Sequence, residues 1–135
     1  MNSIILNVKY TQSDLNFIIE IELRQKSIKS FRYMIYDCTS QVALLNGIKI
    51  GLTKLLKNYS KSSVIVQTNQ YCFNIFTNEN CNITANRDLI NNIQLLINQF
   101  DKIQFEWIDY NENKRMPPTP GFKIDLDNYE IKRIK

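Results

Sequence analysis

The hydrophobic pattern of this chain changes period once, near residue 40, and that change limits the folds open to it. Before it, Ile4, Leu6, Val8 and Tyr10 alternate with Asn7 and Lys9. After a polar turn (Thr11-Gln12-Ser13-Asp14), Phe17, Ile19, Ile21 and Leu23 alternate with Glu20, Glu22, Arg24 and Lys26. A period of two places each apolar set on one face of a half-buried strand. So short a connection makes the pair an antiparallel hairpin. Residues 31–37 (FRYMIYD), rich in aromatic and β-branched side chains, predict a third strand. From residue 40 to residue 59 the apolar positions become Leu45, Ile48, Leu52, Leu55, Leu56 and Tyr59, the spacing of an amphipathic helix.

Thr39 or Ser40 can cap that helix. Gly47 and Gly51, four residues apart, predict close packing of the helix on a sheet. Residues 63–67 (SVIVQ) predict a short buried strand. Residues 69–86 are rich in Asn and promise at most a helical piece around residues 71–76. Residues 87–100 predict a second long helix with Ile90, Ile93, Leu96, Ile97 and Phe100 on its apolar stripe, capped by Thr84 or Asn86. Residues 102–108 predict a last strand with Ile103, Phe105 and Trp107 inward. The expected fold class is α/β, a mixed sheet in the order β-β-β-α-β-α-β with helices packed on it. The expected organisation is an α/β domain over residues 1–109 and a proline-broken basic tail over residues 110–135.

That order resembles the core of ribonuclease-H-like domains, so nuclease chemistry is the first to test. Two-metal cleavage of a phosphodiester needs carboxylates converging from the first strand, the first long helix and the end of the fourth strand. Here the first strand ends Tyr10-Thr11-Gln12, residues 40–61 hold no Asp or Glu, and the fourth strand ends Thr68-Asn69-Gln70. Only Asp37 and Asp109 remain near strand ends. The chain has no histidine, which excludes Ser-His and Cys-His relays. Cys38, Cys72 and Cys81 show no CxxC spacing and leave no closed disulfide set. Cys72, beside Phe73, has the character of a small buried hydrophobe. The sequence therefore predicts no enzyme, no metal site and no cofactor. It holds no apolar run long enough to span a bilayer and no recognisable signal or transit segment, so neither a membrane nor a small-molecule substrate is expected.

What remains is binding. The formal charge is +4, and basic residues gather at Arg24-Lys26-Lys29-Arg32, at Lys54-Lys57-Lys61, at Lys114-Arg115 and at Lys132-Arg133-Lys135. A segment carrying Lys114, Arg115, Pro117, Pro118, Pro120 and Lys123 suits a stiff path along a phosphate backbone. Backbone amides at Asn86-Arg87-Asp88, which open the second helix, offer a further seat for a phosphate. The scarcity of Ala, found only at Ala43 and Ala85, beside abundant Ile, Asn and Lys reads as the codon bias of an AT-rich genome, organellar or viral.

Several short stretches resemble the universal small-subunit ribosomal protein eleven of bacterial and organellar type. Ile5-Leu6-Asn7-Val8-Lys9 and Phe17-Ile18-Ile19-Glu20-Ile21 are similar to its opening hairpin. Cys38-Thr39-Ser40-Gln41-Val42-Ala43 is similar to the start of its first helix, and Asn86-Arg87-Asp88 to its Gly-Arg-Glu helix start. Ile108-Asp109 is similar to the end of its last strand, and Arg115-Met116-Pro117-Pro118 to its RNA-binding tail. The resemblance implies a ribonuclease-H-like fold without catalytic carboxylates, in a mitochondrial, organelle-encoded component of the small-subunit platform. Its partners would be small-subunit ribosomal RNA and neighbouring ribosomal proteins, with Thr39, Arg87, Lys114, Arg115, Pro117, Pro118 and Lys123 on the RNA. Two other readings follow from the same residues. One is a catalytically inactive ribonuclease-H-like module of viral or mobile-element origin that binds nucleic acid or protein. The other is a protein adaptor using Tyr71 and Phe73.

Overall fold

The first hairpin forms as its alternation requires. In a computed structural model, which describes residues 3–13, 16–36, 38–77, 86–108 and 130–134, β1 (Ser3–Ser13) and β2 (Asn16–Arg24) pair antiparallel from Ile5↔Arg24 to Ser13↔Asn16. β3 (Ile28–Tyr36) continues the meander on the far edge of β2. On the other edge of β1, β4 (Ser63–Thr68) and then β5 (Lys102–Trp107) run parallel. Parallel neighbours need crossovers. α1 (Ser40–Tyr59) supplies the first, and α2 (Gln70–Thr77) with α3 (Arg87–Ile97) the second. A further strand, β6 (Glu130–Ile134), pairs antiparallel with β3, so the sheet order is β5-β4-β1-β2-β3-β6.

The mixed sheet with packed helices is the expected α/β class, and two elements extend the expected order. The helical piece foreseen around residues 71–76 is the eight-residue α2. Residues 130–134, within the span read as tail, form a sheet strand, while residues 109–129 lie outside the described residues.

The core lies on one face of the sheet. Ile4, Leu6, Val8, Ile19, Ile21, Ile35, Val64 and Val66 are buried there under Leu45, Ile48, Leu52 and Leu55 of α1 and Ile90 and Ile93 of α3. Trp107 departs from its expected inward place. It is 51% exposed, because β5 is the edge of the sheet and its Phe105 already stacks on Phe76 of α2 at 5.2 Å. The opposite face of the sheet is polar. Asn7 Nδ2 donates to Gln67 Oε1 at 3.0 Å, and Gln67 Nε2 donates to Glu106 Oε2 at 3.2 Å. Lys9 and Arg32 flank Glu20 at 3.5 and 3.9 Å.

The glycines explain how α1 sits so close. A Cβ at Gly47 would fall 2.5 Å from Val8 Cγ1 and 2.7 Å from Ile19 Cγ2, and one at Gly51 would fall 2.5 Å from Leu6 Cδ1. Val8 and Ile19 are β-branched and stiff, whereas the Leu6 methyls end a side chain that can turn away. Gly47→Ala is therefore expected to lower the urea midpoint despite the roughly 1 kcal/mol that Ala gains over Gly in a helix, because overpacking costs about 1–3 kcal/mol. Gly51→Ala is expected to fall by less. Equilibrium urea unfolding of both variants checks this, and a stabilised Gly47→Ala protein would refute the close approach.

Candidate functional site

The carboxyl ends of β1 and β4 and the start of α1 converge, as the three-position argument for a nuclease requires, and aromatic and small polar groups fill the convergence. Tyr10 ends the buried face of β1 at 5% exposure, with its ring edge-on to Phe17 at 5.8 Å and 68°. Its phenol is hydrogen-bonded to the Ser40 side chain at the start of α1. Burial pushes that phenol above its ordinary pKa, the Ser40 bond partly offsets the rise, and the nearby Cys72 adds to it. Ala43, one turn into α1, is fully buried.

At the end of β4, Asn69 is occupied as a helix cap. Its Oδ1 accepts from Cys72 N at 3.0 Å, and its carbonyl accepts from Phe73 N at 3.0 Å. An Asn in this place serves α2 as an N-cap usually does. Beneath it, Thr68 is buried with its hydroxyl unsatisfied by any well-formed hydrogen bond, facing the Cys72 thiol. Burial pushes that thiol up to about 12, and the Thr68 hydroxyl lowers it only in part.

Phenol, hydroxyl, amide and protonated thiol do not fit a pair of hard divalent cations, which take carboxylate oxygens. Among the described residues no three side chains of metal-ligating type cluster anywhere. Asp37 and Asp109 lie outside the described residues.

A second feature lies on the helix-covered face, where α1 runs beside β2 and β3. A groove of about 680 Å³ opens there, walled by Lys49, Lys54 and Lys57 of α1 on one side and by Lys26 of the β2–β3 turn and Lys29 at the start of β3 on the other. Among the described residues no Asp or Glu lines it, and none of these five lysines forms an ion pair. Its floor is apolar and aromatic, with Leu23, Ile50, Phe31, Tyr33 and Tyr59. The Lys54 ammonium stands 4.2 Å over the Phe31 ring.

Two basic clusters that are separate in sequence thus meet in space, but not whole. Arg24 bonds Glu22 at 2.7 Å and Arg32 approaches Glu20, both on even positions of their strands and so on the polar face. Lys61 lies past the end of α1 and outside the groove. Lys49 was missing from the clusters read off the sequence, because its neighbours in the chain, Ile48 and Ile50, are apolar.

The sequence-predicted contact residues scatter. Thr39 is the N-cap of α1, its Oγ1 accepting from Val42 N at 3.2 Å. Arg87 is exposed as the first residue of α3, behind Asn86, which takes the left-handed conformation at φ 61° and makes no side-chain cap bond. Lys114, Arg115, Pro117, Pro118 and Lys123 lie outside the described residues.

A three-stranded meander, a helix, and a parallel strand returning beside the first strand define a ribonuclease-H-like fold, and solved structures agree. RNase H1 from the halophilic archaeon Halobacterium salinarum NRC-1 superposes with a TM-score of 0.67 at 11% identity, over 84% of this chain and 90% of that one. The N-terminal RNase H domain of a Mycobacterium tuberculosis protein, solved as a fusion with maltose-binding protein, superposes with a TM-score of 0.61 at 14% identity, over 84% and 87%. The foamy viral protease-reverse transcriptase in complex with an RNA/DNA hybrid gives 0.51 at 15% identity, over 84% of this chain and 18% of that one. The chain belongs to the reverse transcriptase-like family, whose sequence profile matches residues 25–115. No curated protein matches it significantly.

These matches overturn the ribosomal resemblance. The family profile is reverse transcriptase-like and the structures named above are RNase H proteins and a reverse transcriptase, so ribosomal RNA, ribosomal neighbours and a role in translation are withdrawn. The reason is physical. The resemblance rested on element order and on short stretches at strand and helix ends. Element order is what a ribonuclease-H-like fold imposes on every family that shares it.

Because Cys72 binds its proton more tightly folded than unfolded, its contribution to stability is complete below the ordinary thiol pKa of 9.0 and is lost as pH rises from there toward 12. Tyr10, also raised, acts in the same direction. The urea midpoint is expected to fall progressively above pH 9, and Cys72→Ala to flatten that fall while lowering the neutral-pH midpoint. Unfolding series at several pH values check both. An unchanged alkaline limb in Cys72→Ala would contradict the assignment.

Proposed function

We propose that this protein is a catalytically silent ribonuclease-H-like module that binds nucleic acid without cleaving it. The observation that carries the reading is the Tyr10–Phe17 pair, with its Ser40 bond, standing where the strand and helix ends meet. A buried aromatic pair leaves no room for a hydrated metal and offers no carboxylate to hold one. Asn69 supports the same conclusion, since its side-chain oxygen is used by the backbone of α2. Membership of the reverse transcriptase-like family and the unpaired lysines of the α1 groove support retention of nucleic-acid binding. A viral or mobile-element origin accords with that family.

The test is direct. Purified protein with an end-labelled RNA/DNA hybrid and Mg²⁺ or Mn²⁺ is expected to give no cleavage above the protein-free control, while fluorescence anisotropy reports salt-sensitive association with nucleic acid. Metal-dependent cleavage that is abolished by Asp37→Asn or Asp109→Asn would overturn the silent reading. Failure to bind any nucleic acid at low salt would overturn the binding reading.

A further inference from the structure

Resting on that reading, we infer that the groove between α1 and the β2–β3 turn is a binding site for single-stranded nucleic acid, with phosphates on its lysine rims and bases on its aromatic floor. The rims carry charge of one sign. Lys49 and Lys57 are eight positions apart on α1, a span of about 12 Å at the helical rise, and Lys26 from the turn and Lys29 from the start of β3 line the other side. Three basic residues on the opposite face of β1, β2 and β3 have acidic neighbours instead. Lys9 and Arg32 share Glu20, and Arg24 holds Glu22. The groove therefore gathers cationic charge that no described residue neutralises, and a polyanion complements it.

The choice of a single strand comes from the floor. Tyr33 and Tyr59 are half-buried side chains lining an opening rather than filling the core, and Leu23 and Ile50 lie beside them. A duplex turns only its phosphates and sugars toward such a surface, so it would use the lysines and leave the aromatic floor uncovered. A single strand exposes base faces that stack on aromatic rings whatever their sequence. An acidic peptide would meet the lysines but brings no run of flat π-faces. Phe31 has a separate task. Its ring faces the Lys54 ammonium at 4.2 Å, which holds that charge at the rim and limits the freedom lost on binding. All five cations are lysines, compact point charges rather than bidentate forks, which suits backbone contact without base readout.

The experiment is anisotropy titration of the full chain with a labelled 12-nucleotide single strand, and with an RNA/DNA hybrid of the same length, across a salt series. The single strand is expected to bind at least tenfold tighter than the hybrid. Five phosphate contacts give a slope of log K against log salt of about −3.5, and Lys54→Glu/Lys57→Glu is expected to reduce it to about −2 with at least tenfold weaker binding. Tyr59→Ala is expected to weaken binding by about fivefold or more at unchanged slope, as loss of one stack does. Tyr59→Phe, which keeps the ring, is expected to bind as the parent does, and it separates stacking from any loss of folding in Tyr59→Ala. Lys102→Glu, on β5 at the far edge of the sheet, is expected to change neither quantity.

Equal or tighter binding of the hybrid, or a groove double variant that binds like the parent, would overturn the groove assignment and leave the silent-binder reading standing. Competition by polyglutamate as effective as by unlabelled single strand would overturn it in favour of an acidic protein segment. Absence of salt-sensitive binding to either nucleic acid would overturn both readings together.

Discussion

The approach of α1 to the two central strands governs the rest of this molecule. With Gly47 over Val8 and Ile19, and Gly51 over Leu6, the helix lies closer to β1 and β2 than any side chain at those positions would permit. That contact seals Leu45, Ile48, Leu52 and Leu55 against Ile4, Leu6, Val8, Ile19 and Ile21, the main buried surface of the fold. It also sets two distances at once. The N-terminal end of α1 is pressed against the end of β1, so Ser40 reaches Tyr10. The other half of α1 is held alongside β3, so Lys54 reaches Phe31. One packing contact thus closes a pocket at one end of the helix and opens a groove along the rest.

The closed end shows how converging strand and helix ends can pack through neutral groups. A cation site needs several charged oxygens held close together, an arrangement that repels itself unless metal is present. Here the ends of β1 and β4 and the start of α1 bury Tyr10, Phe17, Ala43, Cys72 and Thr68 instead. These groups are neutral at ordinary pH, two of them made more so by burial. No counter-charge is required for these groups to pack together. The Thr68 hydroxyl, buried without a well-formed hydrogen bond, leaves a small unmet polarity among them.

Much of this was legible in the sequence because it depends on periodicity. The alternation of Ile4 to Tyr10 and Phe17 to Leu23 announced the hairpin, the spacing of Leu45 to Leu55 announced α1, and the neutrality of Tyr10, Ala43 and Asn69 was plain from their identities. Other features needed a third dimension. Trp107 follows the inward alternation of β5 yet stands half in solvent, because alternation says which face a residue takes and not whether anything covers it. β6 pairs with β3, a partner about a hundred residues away in the chain, which no local pattern could announce. The ribosomal resemblance failed for a related reason. Short matches at element ends report where a fold turns, and unrelated families with one fold turn at the same places.

The basic residues show most clearly what the chain alone conceals. Read linearly, Arg24-Lys26-Lys29-Arg32 is one cluster and Lys54-Lys57-Lys61 another, and each resembles an ordinary solvated face. Strand alternation divides the first, sending Arg24 and Arg32 to the polar face, where Glu22 and Glu20 neutralise them. Helix periodicity divides the second and recruits Lys49, which no local cluster contained. Glu20 and Glu22 lie on the polar face with Lys9, Arg24 and Arg32, while five lysines gather on the other side, above an aromatic floor. A net charge of +4 is modest, but attraction for a polyanion follows the field at the contact rather than the sum over the molecule. Sorting the charges by face therefore turns a weak compositional signal into a defined surface.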